Sequence, residues 1–288
     1  MTTLERARRV TGGVDTHLDI HVAAALDGVG ALLGTAAFPT TTAGYQALLS
    51  WLESHGEVTK VGVEGTGSYG AGLSKFLARA GLSVVEVNRP NREERRRSGK
   101  SDPLDAIEAA RAALGGKAKS IAKSKDGPVE AVRALLVAKR SARTARTSAL
   151  IQMRELLVTG PDQLRSRLRG LSISALTHEA ARLRPARHGD SVLMATKAAL
   201  SSLAHRVQEL DDELAELDAR IEALLVRHCS DLLGLFGVGP DTAAALVVCA
   251  GDNPERLRSE AAWARLCGGP HPDGLGTDRG EVPPRPRR

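Results

Sequence analysis

Aromatic side chains are scarce: two Trp, two Tyr and three Phe among 288 residues. The core must therefore rest on Leu, Val, Ile and Ala, and Ala and Leu are strong helix formers. Stacking platforms for single-stranded nucleic acid, which need exposed rings, are not expected. Cysteine is scarce as well. Cys229, Cys249 and Cys267 are odd in number and form no C-x-x-C pair, so neither a zinc knuckle nor a disulfide framework is indicated. A reducing, cytoplasmic setting fits this usage, bacterial and nucleoid-associated if the partner is DNA. The first ten residues, MTTLERARRV, contain no apolar stretch of the signal-peptide kind. No apolar run reaches the roughly 18 residues a membrane-spanning helix needs, so no membrane partner is expected.

Hydrophobic residues make up 42% of the chain, enough for a sizeable core and for two domains. The net charge of +6 raises the expectation of an anionic partner such as nucleic acid, though many basic enzymes bind none.

The first 115 or so residues alternate between strand and helix signals. Gly13 to Leu26 reads as one strand or two, Asp27-Gly28 as a hairpin turn, and Ala31 to Phe38 as the returning strand. Thr41 or Thr42 can cap a helix through Leu52 that ends near Gly56. A strand over Val58–Val63, a helix over Tyr69–Ala80 and a buried strand over Leu82–Val87 follow. This order predicts a mixed α/β layer architecture. After the charged stretch NRPNREERRRSGKS, Pro103 opens a short helix to Leu114, a position where its missing N–H costs nothing.

From Pro128 to about Val158 the pattern is one long basic helix. Leu203, Val207, Leu210, Leu214, Leu217, Ile221 and Leu224 then alternate spacings of four and three, the seam of a coiled coil, flanked by Glu209, Asp212, Glu213 and Glu216. Leu232 to Val248 reads as two apolar helices joined by Gly237-Val238-Gly239-Pro240. That is either a helix-hairpin-helix, whose backbone N–H groups reach a phosphate, or an ordinary αα-turn. From Gly268 the chain is dense in Gly, Pro and Arg without periodicity, a composition expected to be disordered.

Four carboxylates stand out by context. Asp15 lies within the first apolar strand, Glu64 ends the Val58–Val63 strand, and Asp102 and Asp105 share one face at the start of a helix. Acids in or at the ends of buried strands are costly unless paired or metal-bound. Divalent Mg²⁺ (or Mn²⁺) would account for all four, since hard cations take oxygen donors and two such ions serve phosphoryl transfer. Each acid also has a bland reading. Asp102 can be an N-cap with Asp105 favoured by the helix N-terminus, Asp15 can sit in a loop, and Glu64 can be a solvated turn residue. The ordered set carries more weight than any member. His17, two residues beyond Asp15, falls on the same strand face and either positions a metal-bound water or makes a structural hydrogen bond.

The segments GVDTHLDIHVAA, VGVEGTGSYG and SGKSDPLDAIEAAR resemble the DEDD-type insertion-sequence transposases of the IS-one-ten (IS110) family. The resemblance spans roughly residues 10 to 267, and Lys100-Ser101-Asp102-Pro103-x-Asp105-Ala106 is its most specific part. It implies an RNase-H-like α/β catalytic domain, similar to the RuvC junction nucleases, over 10–115. A basic helix and coiled coil over 128–228 and a partial transposase domain over 229–267 would follow, with 268–288 as a tail. The four metal-binding acids of the family carry over to Asp15, Glu64, Asp102 and Asp105. The resemblance further implies DNA as substrate, a structured guide RNA from the element, dimers or tetramers through the coil, and a nucleophilic serine in the second domain.

Family members continue after a motif like Ala261 to Gly268 with a segment such as A-P-I-P-x-A-S-G, which holds that serine; here Gly269 to Gly276 reads GPHPDGLG. Read one base forward, the codons available to those residues permit Ala-Pro-Ile-Pro-Thr-Ala-Ser-Gly. The expectation is a frameshifted copy without the serine and without strand exchange, with a programmed frameshift that restores the full protein as the alternative; neither Ser230 nor Ser259 lies in the motif. For phosphate contact, Arg95, Arg96, Arg97 and Lys100 beside the acid pair, and Arg140, Arg143 and Arg146 on the long helix, are the candidates; a solvated face, or a helix packed on the coil, is the plainer reading.

Two other functions are compatible with parts of the sequence. An actin-like ATPase or sugar kinase would use Glu64-Gly65-Thr66-Gly67 against phosphates, but one such loop and a long heptad coil fit that fold poorly. A non-catalytic, dimeric nucleic-acid-binding remnant fits the altered tail.

Overall fold

The computed structural model describes residues 8–87, 102–118, 120–184, 190–253, 257 and 259–266. Arg95, Arg96, Arg97, Lys100, Cys267 and the tail from Gly268, with the reading-frame argument that rests on it, lie outside the described residues. Two compact units divide the chain: 1–127 together with 249–288, and 128–248.

The first unit is built on a six-stranded sheet of order β3-β2-β1-β4-β5-β6. Strands β1 (Arg9–Thr16), β2 (Ile20–Asp27) and β3 (Leu32–Pro39) form an antiparallel meander. Strands β4 (Glu57–Glu64) and β5 (Val84–Val87) add in parallel beside β1, and the two-residue β6 (Ser120–Ile121) closes the edge antiparallel. This mixed sheet flanked by helices is consistent with the RNase-H-like class expected from the sequence.

Of the one strand or two that Gly13 to Leu26 suggested, two are formed, and the turn between them contains no Gly, Pro or Asn. It is held by other means: His17 N donates to Ile20 O, Thr40 N donates to Asp19 O, and Thr40 Oγ1 donates to Leu18 O at 2.7 Å. The second turn follows the Asp-Gly signal, with Asp27 Oδ1 accepting from Val29 N at 3.0 Å and Ala31 N at 2.8 Å.

Alternation along the strands sorts side chains between the two faces of the sheet. Val10, Val14, Ala23, Ala25, Val61 and Val63 face helices α1 (Thr42–Ser54) and α2 (Ala71–Arg79), meeting Leu48, Leu52, Leu73 and Leu77 in a buried core. Helix α1 is capped as its sequence predicts, with Thr41 Oγ1 accepting from Gly44 N at 3.1 Å. The opposite face, bearing Gly13 and Asp15 of β1 and Gly62 and Glu64 of β4, is covered by α3 (Asp102–Leu114).

The chain leaves this unit through residues 122–127 and returns at 249–253. Asn253 fastens the two segments: its Nδ2 donates to Ala122 O at 3.1 Å and its Oδ1 accepts from Ser124 N at 3.3 Å.

The second unit is helical. Its frame is α4 (Pro128–Thr159) and α7 (Ser191–His228), and between them come α5 (Asp162–Leu168) and α6 (Ile173–Ala181). The two long helices run antiparallel, because Lys139 pairs with Asp218 while the later Arg146 pairs with the earlier Asp211. Leu203 and Val207 pack with Leu150, Met153 and Leu157 at one end, and Ile221 and Leu224 with Val132 and Leu136 at the other. The heptad seam of α7 therefore meets α4 of the same chain. Beyond α7, the turn Gly237 to Pro240 joins α8 (Ser230–Leu233) to α9 (Pro240–Ala250). The first arm of the expected two-helix element is thus a single turn of four residues. A further helix, α10 (Glu260–Leu266), belongs with the first unit. Among the described residues, no helix is long and apolar enough to cross a membrane.

Candidate metal centre

Two glycines decide how the acids meet. Asp15 lies two residues beyond Gly13 on β1, and Glu64 two beyond Gly62 on β4, so each acid shares a face with its glycine. A Cβ on Gly13 would lie 2.1 Å from Ala110 N and 2.3 Å from Ala106 O. One on Gly62 would lie 2.6 Å from Ala109 O. Only glycine lets α3 lie this close to the sheet. The helix contributes Ala106, Ala109, Ala110 and Ala113, all buried, which is the small-residue stripe such an approach needs. Going from Gly13 to Asp15 along β1 means going from Ala110 and Ala106 back towards Asp105 and Asp102 along α3. The first turn of the helix thereby arrives over the C-terminal end of β1.

The parallel register sets Val14 against Val63, which puts Asp15 and Glu64 side by side on adjacent strands. Thr16 Oγ1 donates to Glu64 O at 2.8 Å and ties the two strand ends together. Asp15 and Glu64 are almost fully buried at 5% and 4% exposure, while Asp102 and Asp105 are half-buried. Glu64 and Asp105 have further partners of their own.

His17 is not on the strand, as the sequence suggested, but one residue past its end. It still reaches the acids. Its Nε2 lies 3.0 Å from Asp15 Oδ2 and 3.5 Å from Asp102 Oδ1. Among the described residues, Asp15, His17 and Asp102 have ligand atoms all within 4.8 Å of one another, close enough to share one ion.

The electrostatics of Asp15 are divided. Burial pushes its carboxyl above the ordinary value, His17 pulls it down, and the Asp105 and Asp102 carboxylates push it up again, with a net rise. A buried acid crowded by like charges is a site that a cation relieves. Hard divalent ions accept such oxygen donors, so the residues present fit the group expected there.

Among the described residues, the remaining sequence candidates lie on α4 in the helical unit. Arg143 Nη2 donates to Asp241 Oδ2 at 3.3 Å, Arg146 pairs with Asp211, and Arg140 is exposed. Two of these three charges thus meet acids of their own unit. The sequence reading missed Gly13, Gly62 and Thr16. The signal was the two-residue step from each glycine to its acid, read together with the alanine stripe of α3.

Compared with known proteins, the chain matches a family model described as transposase, the DEDD type of the IS110 group, over residues 12–160. The match begins at β1, takes in all four acids and runs through α4. No curated protein matches the chain.

Proposed function

The chain belongs to the DEDD-type IS110 transposases, and from that premise we propose that Asp15, Glu64, Asp102 and Asp105 form its metal-dependent DNA-cleaving centre. The observation that carries this reading is the packing of α3 on Gly13 and Gly62, which brings the acid-bearing end of the helix to Asp15. A bound Mg²⁺ or Mn²⁺ supplies Lewis acidity toward a phosphodiester. The residues themselves do the holding. Asp15 and Glu64 present oxygens from rigid strand ends, and Asp102 and Asp105 present theirs from the first turn of a helix anchored along its length. Among the described residues Asp102 and His17 form a half-exposed rim, the side on which a substrate strand would meet the centre.

On this reading DNA is the substrate, a guide RNA selects it, and copies associate as dimers or tetramers by a surface other than the seam that α7 packs on α4. The arginines of α4 touch nucleic-acid backbone where acids of their own unit leave them accessible. Strand exchange needs a serine supplied beyond the matched region. Residues 269–276 do not read as that serine motif; a frame altered there would remove the step, and sequencing the DNA through codon 269 in all frames tests it.

The metal-dependent reading is tested with the full chain. Millimolar Mg²⁺ or Mn²⁺ should raise the melting temperature, and either ion should support nicking of supercoiled plasmid. Both effects should be lost in Glu64→Gln. A melting temperature indifferent to both ions would overturn the carboxylate centre and favour the non-catalytic binding remnant.

A further inference from the structure

The reading above gives the metal oxygen donors only. We propose that the centre is a mixed nitrogen–oxygen site in which His17 Nε2 is a direct metal ligand beside Asp15 and Asp102, so that it prefers Mn²⁺ over Mg²⁺ by more than carboxylates alone would. This inference rests on the carboxylate centre proposed above and adds a ligand to it.

Three observations carry it. The first is spacing. Neighbouring ligand atoms in an octahedral shell with bonds of roughly 2.1 Å lie about 3 Å apart. His17 Nε2 stands 3.0 Å from Asp15 Oδ2 and 3.5 Å from Asp102 Oδ1, so the three atoms already lie near such a spacing. The second is valence. One imidazole nitrogen carries at most one N–H and can satisfy one carboxylate well, yet two converge on it from different elements. A cation placed among the three lone pairs satisfies all of them. The third is rigidity. His17 is held by its own backbone, which donates to Ile20 O at 3.2 Å and closes the β1–β2 turn. Thr40 pins the tip of that turn from the start of the β3–α1 connection. A turn with no glycine or proline, fixed from a second element, holds its ring in place as a ligand requires.

The chemical consequence is selectivity. Mg²⁺ demands oxygen donors and gives up water reluctantly, whereas imidazole suits first-row transition ions. Replacing one oxygen by a ring nitrogen therefore weakens Mg²⁺ relative to Mn²⁺.

The test uses the purified full chain loaded with Mn²⁺ and examined by pulsed electron paramagnetic resonance. The wild type should show ¹⁴N modulation from a directly bound imidazole, and His17→Ala should lose it while retaining weaker Mn²⁺ binding. The expected loss of Mn²⁺ affinity is about tenfold or more, the range seen when a group touching a metal or its ligands is removed. His17→Asp, an all-oxygen site, should bring the Mn²⁺-to-Mg²⁺ affinity ratio down. If bound Mn²⁺ is sensitive to Asp15→Asn but shows no nitrogen coupling, His17 makes only a structural hydrogen bond and this inference falls alone. If no Mn²⁺ binds in an Asp15-dependent way, the carboxylate centre falls with it.

Discussion

The two units treat buried charge in opposite ways. In the helical unit Lys139 is buried in the middle of α4, and two acids answer it: both Asp218 and Asp241 reach its ammonium. Burial alone would lower the Lys139 pKa, but the two carboxylates more than offset this and hold it above its ordinary value. Asp241 is held below its ordinary range, first by the hydrogen bond from Lys139 and also by Arg143. In the sheet unit Asp15 is buried among acids, and among the described residues a half-exposed histidine leans the other way. A buried charge matched by its own chain is a structural feature. A buried charge crowded by like charges costs stability, and a bound cation would offset that cost.

Removing the crowded charge is expected to have the largest effect. Asp15→Asn should lower divalent-metal affinity by about a hundredfold and abolish plasmid nicking. Without metal it should fold at least as stably as the wild type, since a desolvated carboxyl has become neutral. Melting curves with and without Mn²⁺ measure both halves, and a metal-free variant that melts well below the wild type would contradict the contrast.

Next comes the surface that carries the acids. Gly13→Ala drives a methyl into the α3 backbone and should cost about 3 kcal/mol, at the upper end for overpacking. Gly67→Ala, where a Cβ meets nothing within 4 Å, should be nearly neutral. Urea unfolding of both variants compares them directly, and equal losses would mean that α3 does not seat on the glycine.

The smallest effect belongs to the matched charge. Lys139→Met should cost about 1–2 kcal/mol, because Asp218 and Asp241 are more than half exposed and can hydrate once unpaired. It should leave the metal response untouched. Its pH dependence has two limbs. The Asp241 pKa is depressed on folding, so its contribution is complete above the ordinary value of 3.8 and is lost as pH falls through the folded value. The Lys139 pKa is raised, so its contribution is complete below the ordinary 10.5 and is lost as pH rises through the folded value. The stability gap between wild type and variant should therefore narrow at both extremes, and a gap that stays constant would argue against the ion pair.

Much of this was legible in local chemistry. Asp27-Gly28 marked a hairpin, Thr41 a helix cap and Pro103 a helix start, because each residue acts on its own backbone neighbours. The seam from Leu203 to Leu224 was legible from its period, but not its partner, since a heptad pattern is satisfied equally by α4 of the same chain or by another copy. The β1–β2 turn was not legible, because Thr40 holds it from 20 or more residues away. Strand β6 is two residues long and has no pattern to read. The four acids could be named from context and resemblance. What joins Asp15 to Asp102 is the absence of a side chain at Gly13, a fact about shape that becomes visible only when the helix is in place.

The clasp at Asn253 bears on how such a molecule is made. It joins Ala122 and Ser124 to a residue well over a hundred positions later, so on the ribosome this tie is made only after the whole helical unit has been synthesised. The same closeness of the outgoing and returning segments makes 128–248 a cassette. A short loop in its place would spare the sheet edge and allow the acid-bearing unit to be produced as one uninterrupted piece.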